Sequence, residues 1–198
     1  LVKKVFPHIQ INNIAPSKVS ASSEKDAMTS SNVKEEVISS LMRKRSVHLV
    51  AHDTADWKAL VDDVVKDMPE NLKKVQIDLY DPATSSQEGL IEEIRKRLPK
   101  TEEDDGTNKL TNLARIIKTS SNEIFLVLLH FDIIRHRLNI SPSNPEIAYT
   151  TDLFTSLRFW ITDMRPKKLL ILLQSRSPLP DLLPQDVMSS PIDIQTIH

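Results

Sequence analysis

Cysteine is absent from the 198 residues, and glycine occurs only twice, as Gly89 and Gly106. Without thiols the chain can form no disulfide, no Cys-ligated zinc site, no iron–sulfur cluster and no thiol nucleophile, a composition that suits a reducing, cytoplasmic compartment. The scarcity of glycine excludes more. A backbone that wraps phosphates closely needs residues without a Cβ and with access to positive φ, and neither glycine falls between a strand signal and the helix after it. Long apolar runs are missing as well. The longest, Ile124 to Leu129, is far short of the roughly 20 residues that cross a bilayer, and residues 1–20 carry no apolar signal-peptide core, so neither membrane anchoring nor export is expected. Charge of one sign is not in excess: 26 Lys and Arg oppose 27 Asp and Glu, a net charge of -1 that names no polyanionic partner.

What is present reads as one domain with an appendage. Residues 1–14 are assigned to a tail or the end of an upstream domain. Residues 15–32, rich in Ser, Lys and Ala, read as a linker, and 33–198 as the α/β domain. A start at Leu1 and a stop inside Ile192–Ile197 suit an excerpt of a longer protein. A helix capped by Ser31 or Asn32 places Val33, Val37, Ile38 and Leu41 on one face, ahead of the basic end Arg43, Lys44, Arg45. From Ser46 strand and helix signals alternate, the pattern of a parallel sheet covered by helices. The strands are 46–51, 74–81, 123–132, 167–175 and 191–197. The helices between them carry Trp57, Leu60, Val61, Val64 and Met68; Leu90, Ile91, Ile94 and Leu98; Leu110, Leu113, Ile116 and Ile117; and Leu153, Phe154, Leu157, Trp160, Ile161 and Met164. Asp53 or Thr54 is the expected cap of the first of these and Ser85 or Ser86 of the second, while the acidic stretch 101–106 reads as a solvated loop. The expected fold is a three-layer α/β sandwich with a mainly parallel five-stranded sheet of P-loop NTPase type.

Ligands of such sheets sit at the carboxyl ends of the strands. Strand one ends in AHDTADWKAL, where a phosphate-binding loop would read Gly-x-x-x-x-Gly-Lys-Ser/Thr. The glycines that admit backbone N–H groups to phosphate, the lysine and the magnesium-binding hydroxyl are all missing. Lys58 lies a turn inside the helix, and Asp53 and Asp56 would repel phosphate there, so they read as capping residues. Strand three, EIFLVLLHFD, runs apolar into Asp132 as a magnesium-binding strand does, yet Ile133 follows where an acidic residue would orient water. Strand four is followed by Arg176.

This order of strand endings resembles the STAND branch of the AAA+ NTPases over about residues 46–198, in a degenerate form without the phosphate-binding loop. The resemblance implies that Arg176 falls near the sensor position and that Asp132 and Arg176 are the vestigial cofactor-binding candidates. It further implies a non-catalytic regulatory role beside effector modules, as in bacterial defence and signalling proteins. On this reading the chain is not an enzyme, has no catalytic residue, and holds no metal or cofactor. Its partner is another protein, a neighbouring effector domain or its own copies.

Other readings remain open from the residues. An unorthodox nucleotide-sensing or hydrolytic site would use Asp132, Arg176 and Lys58. A nucleic-acid surface would use Arg135, Arg137, Arg158, Arg165, Lys167 and Lys168, although no aromatic residues are interleaved for base stacking. His48 and His52 lie roughly 13 Å apart along a strand, which does not make a zinc pair. His130 and His136 flank the end of strand three without a suitable acidic cluster nearby and read as core or surface residues. The segment LPDLLPQDVM offers apolar side chains for docking a partner.

Overall fold

The computed structural model describes residues 30–51, 56–133, 168–177 and 192–197. Outside the described residues lie the 1–14 tail, nearly all of the 15–32 segment, His52, Asp53 and Thr54, the helix expected around 145–164, His136 and the basic residues from Arg135 to Lys167, and LPDLLPQDVM.

The first helix, α1 (Ser30–Met42), begins before the expected cap and buries Val33, Val37 and Leu41. It stops because Lys44 takes a left-handed conformation (φ 62°), which lets the Lys44 and Arg45 N–H groups donate to Leu41 O (2.8 Å) and Ser40 O (3.1 Å). The Lys44 ammonium then pairs with Glu123, tying this helix end to the entry of the third strand. Strand β1 is Ser46–Ala51 and α2 is Trp57–Asp67. Its cap is Asp56, whose carboxylate accepts from Ala59 N at 3.3 Å, so the helix starts later than a cap at Asp53 or Thr54 implies. Leu60, Val61 and Val64 are buried along one side, as is Met68 just past its end.

Strand β2 (Lys73–Asp78) ends three residues before Asp81 because Asp78 begins a turn. Its carboxylate accepts from Tyr80 N (2.8 Å) and its carbonyl from Asp81 N (3.2 Å). A short 3₁₀ turn, Pro82–Thr84, leads into α3 (Gln87–Arg97), whose cap is Ser86, accepting from Gly89 N at 3.1 Å. Gly89 is required here, since a Cβ would lie 2.1 Å from the Ala83 carbonyl oxygen.

The acidic stretch that follows is solvent-exposed at Glu102, Glu103, Asp105 and Gly106, as expected, and is also tied to the helix after it. Buried Asn112 of α4 (Leu110–Thr119) donates to Asp104 Oδ1 (3.0 Å) and Thr107 O (2.9 Å), and Asp105 pairs with Arg115. The Thr107 hydroxyl and N–H, with Arg115, hold the Asp105 carboxyl down to about 2. Asn112 and the Gly106 N–H likewise hold Asp104 below its ordinary value.

Strands β3 (Ile124–Leu129), β4 (Leu169–Ser175) and β5 (Ile192–Ile197) complete a sheet of order β2-β3-β4-β1-β5 in which every pairing is parallel. The chain steps from β1 to the far edge at β2 by way of α2, then back inward to β3 by way of α3 and α4. Right-handed crossovers in opposite directions put their helices on opposite faces. Two cores result. Leu126, Leu128, Ile171 and Leu173 pack with α3 and α4 on one face. Phe125, Val127, Leu170 and Leu172 pack with α1 and α2 on the other. The α/β class and the parallel sheet are as the sequence implies, and β3 is buried on both faces as its unbroken apolar run requires.

Candidate functional site

Parallel pairing brings all carboxyl ends to one rim, and the rim's best-defined cluster centres on His130. Strand β3 stops at Leu129 and not at Asp132, because His130 is in the left-handed region (φ 54°) and turns the chain. That turn aims the imidazole toward β2 and α2. Its Nδ1–H donates to Asp78 Oδ1 at 2.7 Å, its ring meets Trp57 edge to face at 5.0 Å, and the Tyr80 ring lies 4.4 Å away. The imidazole is mostly covered, whereas Asp78 is about half open and Tyr80 is 44% exposed. Four side chains from three elements thus form an aromatic and acidic surface at the β2 end of the rim. The acidic neighbour of His130 is a single residue that comes from β2, 52 residues away in sequence.

Beside it, β3 and β4 are clasped. Gln174 accepts from His130 N with its side-chain oxygen (2.9 Å) and from Phe131 N with its backbone carbonyl (2.8 Å). Its amide nitrogen is fully buried and without a hydrogen-bond partner. Asp132 is buried, and its Oδ1 accepts from the Arg176 N–H at 3.4 Å. The two residues singled out in the sequence are therefore brought together, through the Asp132 carboxylate and the Arg176 backbone, with the Arg176 side chain exposed.

Just past β1, the α2 N-terminus carries the Asp56 carboxylate, and exposed Lys58 is the second residue of the helix, not a turn inside it as expected, because the helix starts at Trp57. A helix N-terminus attracts anions through its free N–H groups. Here Asp56 occupies one of them with a negative charge of the protein's own.

Deeper in the sheet His48 is fully buried, with Nε2 2.6 Å from Ser175 Oγ. The Ser175 hydroxyl donates to Ser177 O (2.5 Å), so Nε2 must carry the proton that it gives to Ser175. Nδ1 is then an acceptor, and it has no partner. Burial lowers the His48 pKa to about 4. A serine that accepts from histidine is not activated by it, so this pair links β1 to β4 rather than forming a nucleophile and base.

Lys168, the described member of the proposed basic group, lies at the opposite rim. Its ammonium donates to Ser120 O at the C-terminal end of α4 (2.8 Å), as Lys74 does to Met68 O at the end of α2 (2.7 Å). These cations serve helix C-termini, where the free carbonyls lie. Among the described residues, no cluster of three or more His, Cys, Asp or Glu could hold a metal ion, and no helix is long and apolar enough to cross a membrane.

No protein-family model matches the chain, and no curated protein matches it. Among solved structures it is similar to Drosophila ORC bound to AT-rich DNA and Cdc6, with TM-score 0.50 and 9% identity over 84% of this chain and 56% of that one. Lower TM-scores accompany Drosophila ORC bound to DNA (0.47, 12% identity, 77% and 37% covered). The same holds for the pCW3 conjugation coupling protein TcpA in its monomer form with ATPγS (0.43, 9% identity, 75% and 48% covered). The chain spans between 37% and 56% of the length of these three. At such identities the likeness is one of fold. That fold is an α/β fold with a parallel sheet.

Proposed function

We propose that this chain is a non-catalytic interaction and regulatory module on a P-loop NTPase-like frame, a degenerate STAND-type domain that presents its carboxyl rim to a protein partner or a neighbouring effector domain. The observation that carries the reading is the use already made of the rim's acidic groups. Asp56 caps α2 where an anion would dock, and the Asp132 carboxylate is buried and accepts from the Arg176 N–H. With no glycine between β1 and α2, the backbone there lacks the residue type that approaches phosphates closely. Exposed Tyr80 and half-open Asp78 give the rim an aromatic and acidic surface for a partner instead.

Calorimetric titration of the chain with ATP, ADP and GTP in the presence of magnesium tests this. No heat of binding is expected. Low-micromolar affinity abolished by Asp132→Ala or Arg176→Ala would replace the proposal with a nucleotide-sensing site, and steady phosphate release lost in Asp132→Ala would make that site hydrolytic.

A further inference from the structure

Beyond the rim, we infer that the outer edge of β2 pairs with the same edge of a second copy of this chain, antiparallel about Gln76, to give one sheet continuous across a twofold axis. Among the described residues, strand β2 ends the sheet and pairs only with β3. The Lys73 and Leu79 N–H groups donate toward β3, to Glu123 O (2.8 Å) and Leu129 O (3.2 Å). Backbone groups alternate in direction along a strand, so those of Val75 and Ile77 also face β3, and those of Lys74, Gln76 and Asp78 face outward. Among the described residues, none of these three N–H groups has a hydrogen-bond partner.

The positions facing outward choose the partner and the register. In an antiparallel pair the residues that exchange both hydrogen bonds must each face the other strand. A twofold at Lys74 sets lysine against lysine, and one at Asp78 sets aspartate against aspartate, both unfavourable. A twofold at Gln76 uses all three positions: Gln76 opposes Gln76, and Lys74 opposes Asp78 of the other copy twice, on the same sheet face. The edge is thus complementary in charge to itself, which a second copy satisfies. Edge lysines commonly guard against such pairing. The Lys74 ammonium is instead drawn over the end of α2, bonded to Met68 O and Lys66 O (2.7 and 3.3 Å), and leaves the backbone edge open. At the far end the Asp78 carbonyl already accepts from Asp81 N and Thr84 Oγ1. The shared edge is therefore short and the association concentration-dependent.

This pairing lies at the side of the sheet, shares Asp78 with the rim surface, and does not depend on whether the rim binds nucleotide. Sedimentation equilibrium of the full chain tests it together with amide hydrogen exchange. A monomer–dimer equilibrium is expected below about 500 µM, the range for an interface of small area. The Gln76 and Asp78 amides, which donate to the Gln76 and Lys74 carbonyls of the other copy, should exchange about tenfold more slowly at high than at low concentration. Gln76→Pro should retain the native circular dichroism and be monomeric, because the amide it removes makes no bond within the sheet. A monomer throughout that range, or a dimer in which both amides exchange at the monomer's rate, overturns the proposal. If Gln76→Pro fails to fold, the exchange rates of the unaltered chain decide.

Discussion

The His130 imidazole donates to the Asp78 carboxylate at 2.7 Å and so fastens the turn after β3 to the end of β2. It can do so only because His130 is left-handed, at φ 54°. For a residue with a Cβ this conformation costs about 1–2 kcal/mol, which glycine escapes. Two substitutions separate ring from backbone. Both His130→Ala and His130→Gly lose the contacts with Asp78, Trp57 and Tyr80, but only alanine keeps the strain. We expect His130→Gly to be more stable than His130→Ala by about 1 kcal/mol in urea denaturation, reversing the usual order for a strand-end position.

Neutral, buried His48 makes stability depend on pH. Its folded pKa, about 4, lies below the ordinary 6.5, so between these values the unfolded chain binds more protons than the folded one. Stability should therefore be complete above pH 6.5 and fall as pH drops toward 4, by on the order of 3 kcal/mol. Urea midpoints at pH 7 and pH 5 measure the slope. His48→Gln, which cannot take up a proton, should show a markedly smaller difference between the two.

Gly89→Ala should be destabilising by about 1–3 kcal/mol or more, because the new methyl meets the Ala83 carbonyl oxygen at 2.1 Å, and backbone cannot yield as a flexible side chain does. Thermal unfolding measures it. Gly106→Ala costs less: that residue is left-handed (φ 75°) but has nothing within 4 Å of a new Cβ.

Sequence periodicity located the elements because each helix buries one side: Leu90, Ile91, Ile94 and Leu98 read as a face, and the structure buries all four. Where elements end was less legible. Strand β2 stops at Asp78 through hydrogen bonds to Tyr80 and Asp81, and β3 stops at Leu129 through one left-handed histidine. No periodicity encodes either. The rim cluster was hidden for a related reason, since Asp78, Tyr80 and His130 meet through the β2–β3 register, in which Asp78 lies beside Leu129. Gln174 left a faint signal, as the one amide in the apolar run LLILLQS.

The loop before α4 shows how a buried polar residue organises an exposed run of charge. Asn112 bonds Asp104 Oδ1 and Thr107 O from within the helix. Asn112→Ala should cost about 1–2 kcal/mol, since it strips the side-chain donor from Thr107 O and leaves Asp104 Oδ1 with the Gly106 N–H, and it should speed amide exchange at Gly106 and Thr107. In the unaltered protein, acid should loosen the same loop. The Asp105 carboxyl, held at about 2 against an ordinary 3.8, favours the folded loop above pH 3.8 and loses that contribution as pH falls toward 2.

Asp132 gives the sharpest contrast between a structural and a ligand-binding carboxylate. If its work is to accept the Arg176 N–H, an amide serves nearly as well as a carboxylate, because the Asn carbonyl oxygen can occupy the same place. Asp132→Asn should then change stability by less than about 1 kcal/mol, while Asp132→Ala, which strips the acceptor from a partly buried N–H, should cost about 1–2 kcal/mol. Neither should respond to magnesium. A carboxylate that binds the cation behaves otherwise: magnesium would raise the unfolding temperature of the unaltered chain, and Asn and Ala would abolish that shift equally. Thermal unfolding of the three proteins with and without millimolar magnesium separates the two roles, and equal loss of a magnesium-dependent shift in both variants would assign Asp132 to a ligand.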